Sequence, residues 1–306
     1  MVPTGESTQP LRGDGSADAV APVRRPRSPA RVGLSSSCVY PESTAAAFEL
    51  SAELGWDGVE VMVGIDPLAA DIDKVAELQD RHQVAVLSIH APTLLVTQAT
   101  WGTDPWEKLE RSAEAAQRLG AEVVVVHPPF RWQGRYARTF VDGIRELNSR
   151  TGVIVAVENM YPWRTPGTHF QAYVPSWDPT EMGYEHLTLD LSHASTSRKQ
   201  SLDYVEEWGP RLRHVHITDG KGSPKDEHLF PGEGDQRAFE LLDRLAERAF
   251  DGHVVLEVNT RKAGSREVRA QWLADCLAKL RHHLGQDQPD EVDADTFGAT
   301  REGAAR

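Results

Sequence analysis

The chain has 306 residues, of which 33 are basic, 46 acidic and 40% hydrophobic, for a formal net charge of −13. This composition is that of a globular protein with a sizeable core, and its charge argues against broad nonspecific binding to nucleic acid or anionic membrane. Two distant cysteines, Cys38 and Cys276, exclude a cysteine-based zinc module and indicate a reducing compartment. No membrane span and no secretory signal is recognisable, so the sequence predicts a cytoplasmic protein.

The two ends of the chain differ in composition from its middle. Residues 1–30 are rich in Pro, Gly, Ser and Arg, whereas residues 286–306 are polar and acidic. Neither segment has a hydrophobic period, and both are predicted to be disordered. Because the first segment carries +1 and the last −4, the predicted folded body, residues 31–285, is itself acidic, at −10.

Within this body, short apolar runs alternate with helical patterns. The predicted strands are, in chain order, 32–36, 58–63, 84–91, 121–129, 153–159, 186–193, 212–219 and 253–259. The predicted helices are 41–54, 71–82, 105–119, 135–149, 201–208, 236–249 and 265–284. A long loop with four prolines, residues 160–185, is predicted to cover the pocket as a lid.

The order of these elements predicts the fold. Continuous, β-branched runs are typical of parallel strands that are buried on both faces. Eight βα units over about 255 residues fit a single α/β domain, a (β/α)8 TIM barrel. A doubly wound open sheet is the alternative, but it usually has a glycine-rich first βα turn. Here that turn, SSSCVYPEST at residues 35–44, contains no glycine.

Metal-competent side chains end the predicted strands, where TIM barrels place their active sites. They are His90, His127, Glu158, Asp190, His193, His216 and Glu257, and Asp226 and His228 lie in the loop KDEHLFPGEGD (residues 225–235) after strand seven. Each one taken alone could be an ordinary turn, core or surface residue. However, an unpaired buried carboxylate costs several kcal/mol, and neither strand that leads to Glu158 or Glu257 contains an Arg or Lys.

A divalent metal is therefore the predicted partner of these carboxylates. The residues predicted to hold it are Glu158, Asp190, His216 and Glu257. A mixed set of carboxylate and imidazole ligands suits Mn, Zn, Co or Fe.

Five motifs in the same order, ENM, LDLSHA, HVHITDGKG, DEHLFPGEG and LEVN, resemble those of the xylose isomerase-like TIM barrel superfamily. This superfamily includes sugar phosphate isomerases and epimerases and is related to endonuclease IV, and the resemblance covers about residues 31–285. It implies a metal-dependent sugar or sugar-phosphate isomerase or epimerase with one ion, often Mn, at the four residues named above. Glu158 and Glu257 would then be catalytic and move a proton through an enediolate, while His193 would orient a substrate hydroxyl.

The same resemblance implies an alternative, an endonuclease IV-like phosphodiesterase with up to three zinc ions. The implied ligand sets are His90, His127 and Glu158 for the first ion, Glu158, Asp190, His216 and Glu257 for the second, and His193, Asp226 and His228 for the third. Three departures from the endonuclease pattern argue against an abasic-site nuclease, whereas His228 stands where isomerases of this superfamily commonly have an arginine. Glu227 replaces an arginine, Thr93 replaces a tyrosine, and the first βα loop brings no arginine.

Four further residues in predicted loops are candidates for binding substrate. Lys221 and Arg131 could contact a phosphate, and Trp132 and Trp163 could stack on a sugar, although loop packing and solvated charge are equally ordinary roles. The pair His282–His283 is predicted to lie on the surface. The predicted partner is a small-molecule sugar or sugar phosphate, nucleic acid is disfavoured, and homo-oligomerisation is left open.

Overall fold

A computed structural model describes residues 26–64, 66–93, 97, 99–165 and 168–287. Its strands are β1 (Arg31–Ser35), β2 (Gly58–Met62), β3 (Val86–His90), β4 (Val123–Val126), β5 (Ile154–Glu158), β6 (Trp163–Thr165), β7 (Thr168–Phe170), β8 (Leu187–Asp190), β9 (Leu212–Ile217) and β10 (His253–Leu256). Its helices are α1 (Thr44–Leu54), α2 (Ile72–His82), α3 (Pro105–Leu119), α4 (Gly134–Thr151), α5 (Leu191–Ser197), α6 (Ser201–Trp208), α7 (Ala238–Glu247) and α8 (Arg266–His283).

Eight of the strands close into a parallel barrel in the order β1-β10-β9-β8-β5-β4-β3-β2, with β2 also paired to β1. The predicted TIM barrel is therefore confirmed. The four valines of β4 are all buried, as expected for a strand with side chains between the barrel axis and the surrounding helices. Among the described residues, no helix has the length and apolar character to cross a membrane.

Local sequence explains where several helices begin. Asp104 accepts the N–H groups of Trp106 and Glu107 at the start of α3, and Pro105 occupies its first position. Asp190 is the N-cap of α5, where its Oδ1 accepts the N–H of His193 at 2.6 Å. This cap ends β8 at Asp190, so the predicted strand 186–193 ends three residues too late, and His193 lies on a helix.

The predicted loop 160–185 contains structure of its own. Two short strands, β6 and β7, pair in an antiparallel hairpin. Aromatic side chains from the loop pack with Phe130, which follows β4, in a small cluster that includes Met160, Ala172 and Tyr173. This contact joins segments about 30 to 40 residues apart, so no local pattern in the sequence indicates it.

The ends of the barrel domain extend slightly beyond the predicted body. Ser28 and Ala30 are buried, and the N–H of Ser28 donates to the Leu284 carbonyl at 2.9 Å. The Gln286 side chain donates to the carbonyls of Ser28 and Ala30. Residues 26–30 therefore pack on the barrel, while residues 1–25 and 288–306 of the predicted arm and tail lie outside the described residues.

Candidate metal centre

The carboxyl ends of the barrel strands bring together the side chains that the sequence singled out. His90 ends β3, His127 follows β4, Glu158 ends β5, Asp190 ends β8, His216 lies near the end of β9, and Glu257 follows β10. All six are buried, and the most exposed of them, Glu257, is only 9% accessible. Charged groups therefore meet here in a place that bulk water does not screen.

Glu158 lies at the centre of this group. Its Oε2 is 2.9 Å from His127 Nε2 and 3.4 Å from His90 Nε2. Its Oε1 is 3.1 Å from His193 Nδ1 and 3.2 Å from His216 Nδ1. The two carboxylate oxygens thus face two different sets of imidazoles.

Three carboxylates surround one nitrogen of His216. Its Nδ1 is 3.1 Å from Glu257 Oε2, 3.2 Å from Glu158 Oε1 and 3.6 Å from Asp190 Oδ2. A single imidazole can carry at most one positive charge, so His216 by itself cannot balance the three carboxylates. A divalent cation is a partner that would balance them.

Asp226 and His228 form a third group with His193. Asp226 Oδ2 lies 2.9 Å from His228 Nε2 and 3.2 Å from His193 Nε2, and Ser192 Oγ donates to Asp226 Oδ1 at 2.5 Å. His228 has a φ of 45°, a left-handed conformation that is uncommon for a residue other than glycine. Strain of this kind occurs preferentially at functional sites.

The loop that carries this third group is held by Asp219. Its carboxylate accepts the N–H groups of Gly220, Gly232 and Gln236. Gly234 lies so close that a Cβ there would come within 2.2 Å of Asp219 Oδ1. These bonds fix the path of residues 219–236, and with it the positions of Asp226 and His228.

Glu227, the acid in place of an arginine, is engaged within the same loop. Its Oε2 accepts the backbone N–H of Lys221 at 2.8 Å. The Lys221 side chain itself is exposed. The loop therefore uses Glu227 for its own conformation.

The donor atoms fit a divalent metal ion. Glu158 Oε2, Asp190 Oδ2 and His127 Nδ1 are buried without a hydrogen-bond partner among the described residues, which is costly for polar atoms. His127 Nε2 and Glu158 Oε2 lie 2.9 Å apart, so both could contact one ion. The metal-capable sets, each with atoms within 4.8 Å of one another, are His90, His127 and Glu158; Glu158, Asp190 and His216; Asp190, His193 and His228; and Glu60, His214 and His216.

The pKa values of Glu158 and Glu257, the two predicted catalytic carboxylates, are shifted in opposite directions. Burial alone would raise the pKa of Glu158, but the imidazoles of His216, His127 and His193 hold that pKa well below its usual range. Burial raises the pKa of Glu257, and the neighbouring His216 and His228 only partly offset it.

Sequence reasoning missed two residues that support the site. Glu60 on β2 is fully buried and contacts His216. The sequence does contain a signal for Glu60, because it is a carboxylate within the apolar run GVEVMV, and the same kind of run leads to Glu158. Asn159, in the motif ENM, is the second: its side chain donates to the Asp190 carbonyl at 3.0 Å and accepts the Asp190 N–H at 2.8 Å.

The four candidate substrate contacts divide into two pairs. Trp132 is 50% exposed, stacks on Phe130 at 4.7 Å and lies 5.9 Å from Trp163. Trp132 also lines, with His127, a cavity of about 1010 Å³ that extends between α3 and α4. The exposed Arg131 lies 5.4 Å from the Phe170 ring, and no described contact joins Arg131 or Lys221 to the metal-competent residues.

His282 and His283, predicted to lie on the surface, are the last two residues of α8 and are partly buried. They pair with Asp287 and Asp243 on the outside of the barrel.

Comparison with known proteins gives the chain a family. It is 47% identical over 273 residues to an uncharacterized protein of Mycobacterium tuberculosis, covering 83% of this chain and 98% of that protein. It is 22% identical over 269 residues to fructoselysine 3-epimerase of Escherichia coli O157:H7, covering 79% of this chain and 94% of the enzyme.

Solved structures of other proteins share the fold of this chain. A D-tagatose 3-epimerase-like protein superposes with a TM-score of 0.59 at 26% identity, covering 84% of this chain and 98% of that one. Endonuclease IV from Thermus thermophilus superposes with a TM-score of 0.53 at 21% identity, covering 82% and 99%, a likeness that concerns the fold alone. A family model described as xylose isomerase-like TIM barrel matches residues 48–280, so this chain belongs to the xylose isomerase-like TIM barrel family.

Proposed function

We propose that this protein is a divalent-metal-dependent isomerase or epimerase of a sugar or sugar phosphate, in which Glu158 and Glu257 transfer a proton through an enediolate. The observation that carries the proposal is the approach of both carboxylates to one nitrogen, His216 Nδ1, at 3.2 and 3.1 Å. The names of the epimerases among its relatives point to the same reaction class.

In this mechanism, Glu158, Asp190, His216 and Glu257 would hold the ion, Mn or Zn. A bound divalent ion would supply Lewis-acid polarisation of a substrate carbonyl. Glu158 and Glu257 would remove and return the proton on the adjacent carbon, because two carboxylates beside one bound substrate can act as base and acid in turn. His193, which contacts both Glu158 and Asp226, would orient a hydroxyl.

The aromatic cluster offers a place for the rest of the substrate. Trp132 is half exposed beside the cavity that His127 also lines, and its free ring face could stack on a sugar. The neighbouring Trp163 belongs to the hairpin that would act as the lid.

Proton exchange with solvent tests the proposal directly. Candidate ketoses and their phosphates are incubated in heavy water with metal-loaded protein, and deuterium at carbon is measured by NMR. We expect incorporation that disappears on chelation and in Glu257→Gln, but persists in Glu77→Gln, which alters an exposed acid on α2. Incorporation that is absent with every substrate, while the protein is fully metal-loaded, would contradict proton transfer through an enediolate.

A multinuclear zinc phosphodiesterase is the second candidate, favoured by one observation. Asp226, His193 and His228 form a compact group of their own beside the other ligands. Elemental analysis of gently purified protein separates the two cases, because a single metal per chain with no further uptake of zinc would exclude a trinuclear centre. Cleavage of an abasic duplex or of simple phosphodiesters would favour the hydrolase.

A further inference from the structure

A second buried polar group lies inside the barrel, next to the metal-competent rim. It consists of Glu60 on β2, Ser88 on β3 and His214 on β9, all fully buried. Ser88 Oγ donates to Glu60 Oε2 at 2.8 Å. His216, the next residue along β9 that faces inward, brings its Nε2 to 3.2 Å from Glu60 Oε1 and 3.3 Å from Oε2.

His216 therefore has a carboxylate on each side of its ring. Nε2 faces Glu60, and Nδ1 faces Glu158 and Glu257. A neutral imidazole has one N–H and one lone pair, so a hydrogen bond at one nitrogen decides which nitrogen can bind a metal. A carboxylate that accepts the N–H of a metal-binding histidine also fixes the plane of the ring and strengthens the ligand.

We propose that Glu60 is a positioning residue for the metal centre: it accepts the Nε2–H of His216 and so directs the Nδ1 lone pair at the ion. The inference rests on the proposed function, because it requires an ion at His216 Nδ1. Glu60 itself would touch neither substrate nor metal. Ser88 would assist by holding one oxygen of Glu60.

The competing explanation is an additional ion bound by Glu60 itself. Glu60, His214 and His216 do offer metal-capable atoms within 4.8 Å of one another. Such an ion would occupy His216 Nε2 while Nδ1 serves the rim, and the imidazole would have to lose both protons. A closed structural site would also need a fourth ligand beyond these three residues. The hydrogen-bond role requires neither condition.

Metal affinity in Glu60→Gln tests the role of the carboxylate. Zinc affinity is measured by competition with a chromophoric chelator, and melting of the metal-free protein is followed in parallel. We expect affinity to fall about 10–100-fold, as when such outer partners of a metal ligand are removed. Glu122→Gln is the matched control, because it makes the same chemical change at a half-exposed acid that contacts His253 and Arg31 instead.

The outcomes distinguish a failure of the proposed metal function from a failure of the proposed role of Glu60. Wild-type protein that binds no zinc would contradict the proposed metal function itself. Wild-type protein that binds zinc with the same affinity as Glu60→Gln would contradict only the role of Glu60. Loss of one whole zinc equivalent, with the remaining sites unchanged, would overturn the hydrogen-bond role in favour of an additional ion. A lower melting temperature of the metal-free protein with unaltered affinity would reveal a merely structural residue, also against the proposal.

A second measurement needs no substitution at Glu60. In zinc-loaded wild-type protein with 15N-labelled histidine, NMR reports which ring nitrogen carries the proton, and the His216 signals are identified by their loss in His216→Gln. We expect a protonated Nε2 with a slowly exchanging hydrogen and a metal-bound Nδ1. A proton on Nδ1 would overturn the proposal even if Glu60→Gln does not fold.

Discussion

Glu158 lies among four imidazoles, with His127 and His90 beside Oε2 and His193 and His216 beside Oε1. The sequence could predict that this carboxylate needs a cationic or metallic partner, since an apolar strand leads into it. It could not predict which oxygen serves which histidine, because that depends on the closure of the barrel. The partner of Glu60 could not be predicted from the sequence either, because His216 is 156 residues away along the chain.

At this scale we predict that Glu158→Gln removes both activity and metal capacity. The side-chain amide of glutamine is neutral and cannot balance the charge of a metal ion. Loss of a positioned acid–base group typically costs about 10²–10⁴-fold in rate. The rate of carbon-bound deuterium incorporation and the zinc content per chain measure the two effects. Glu77→Gln serves as the control. Retained zinc content and rate in Glu158→Gln would show that Glu158 is not a ligand.

Among the secondary structure elements, those with a strong local pattern match their predicted positions best. The helix predicted at 71–82 is found as Ile72–His82, with the Asp71 side chain as its N-cap, and the one predicted at 105–119 is found as Pro105–Leu119. Helix α5 and the β6–β7 hairpin were not predicted. α5 has only seven residues, and the hairpin packs against an aromatic cluster built partly from Phe130. Both depend on tertiary contacts that outweigh local preference.

The loop between β9 and α7 can be disturbed by one methyl group. In Gly234→Ala, the new Cβ would meet Asp219 Oδ1 and the Gly220 carbonyl at 2.2 Å, so the loop must move. In the multinuclear alternative, zinc capacity should fall because Asp226 and His228 are displaced, whereas the four-residue site of the isomerase should keep its ion. In both cases unfolding free energy should fall by about 1–3 kcal/mol from overpacking.

Gly64→Ala is the comparison for this loop variant, because a Cβ there meets Thr97 only at an ordinary 3.5 Å. Zinc titration and urea denaturation of both variants give the result. Full zinc capacity in Gly234→Ala would show that the loop ligands are not needed.

The start of helix α1 supplies a pH-dependent prediction. Asp66 Oδ2 accepts the N–H and the Oγ–H of Thr44 at 2.6 and 2.7 Å. Partial burial would raise the pKa of Asp66, but these hydrogen bonds and that of Leu68 lower it. A lowered folded-state pKa means that the stabilisation is present above the usual pKa of 3.8 and is lost as the pH falls through the folded value.

Asp66→Ala should therefore reduce the free energy of unfolding by about 0.5–2 kcal/mol at pH 7, as the loss of a helix cap does. The difference from wild type should shrink as the pH falls below about 4, where the unfolded Asp is protonated. Urea denaturation of both proteins at pH 7 and at several pH values between about 5 and 3 measures this difference in unfolding free energy. A difference that stays constant over this range would mean that the effect is not electrostatic.

For the whole molecule, the eight repeated βα units made the barrel predictable, because each apolar run has the same role. The ends of the domain were harder to place from sequence. Composition put the start of the body at residue 31, yet the short stretch before it packs on the opposite end of the chain. Ser28 Oγ donates to the Phe250 carbonyl, and its N–H donates to the Leu284 carbonyl at 2.9 Å. Such contacts follow from closure of the barrel between β1 and β10 and leave no compositional signal.

Two truncations test this boundary. Deletion of residues 1–25 removes none of the described contacts and should leave the melting temperature unchanged. Deletion of residues 1–30 removes the four hydrogen bonds that join Ser28 and Ala30 to Phe250, Leu284 and Gln286. Each is worth about 0.5–1.5 kcal/mol, so unfolding free energy should fall by about 2–6 kcal/mol. Gly285→Ala, whose Cβ would lie 2.2 Å from the Pro26 carbonyl, should loosen the same contact in the full chain. Equal melting temperatures of the two truncations would place the start of the folded domain at residue 31, as composition alone suggests.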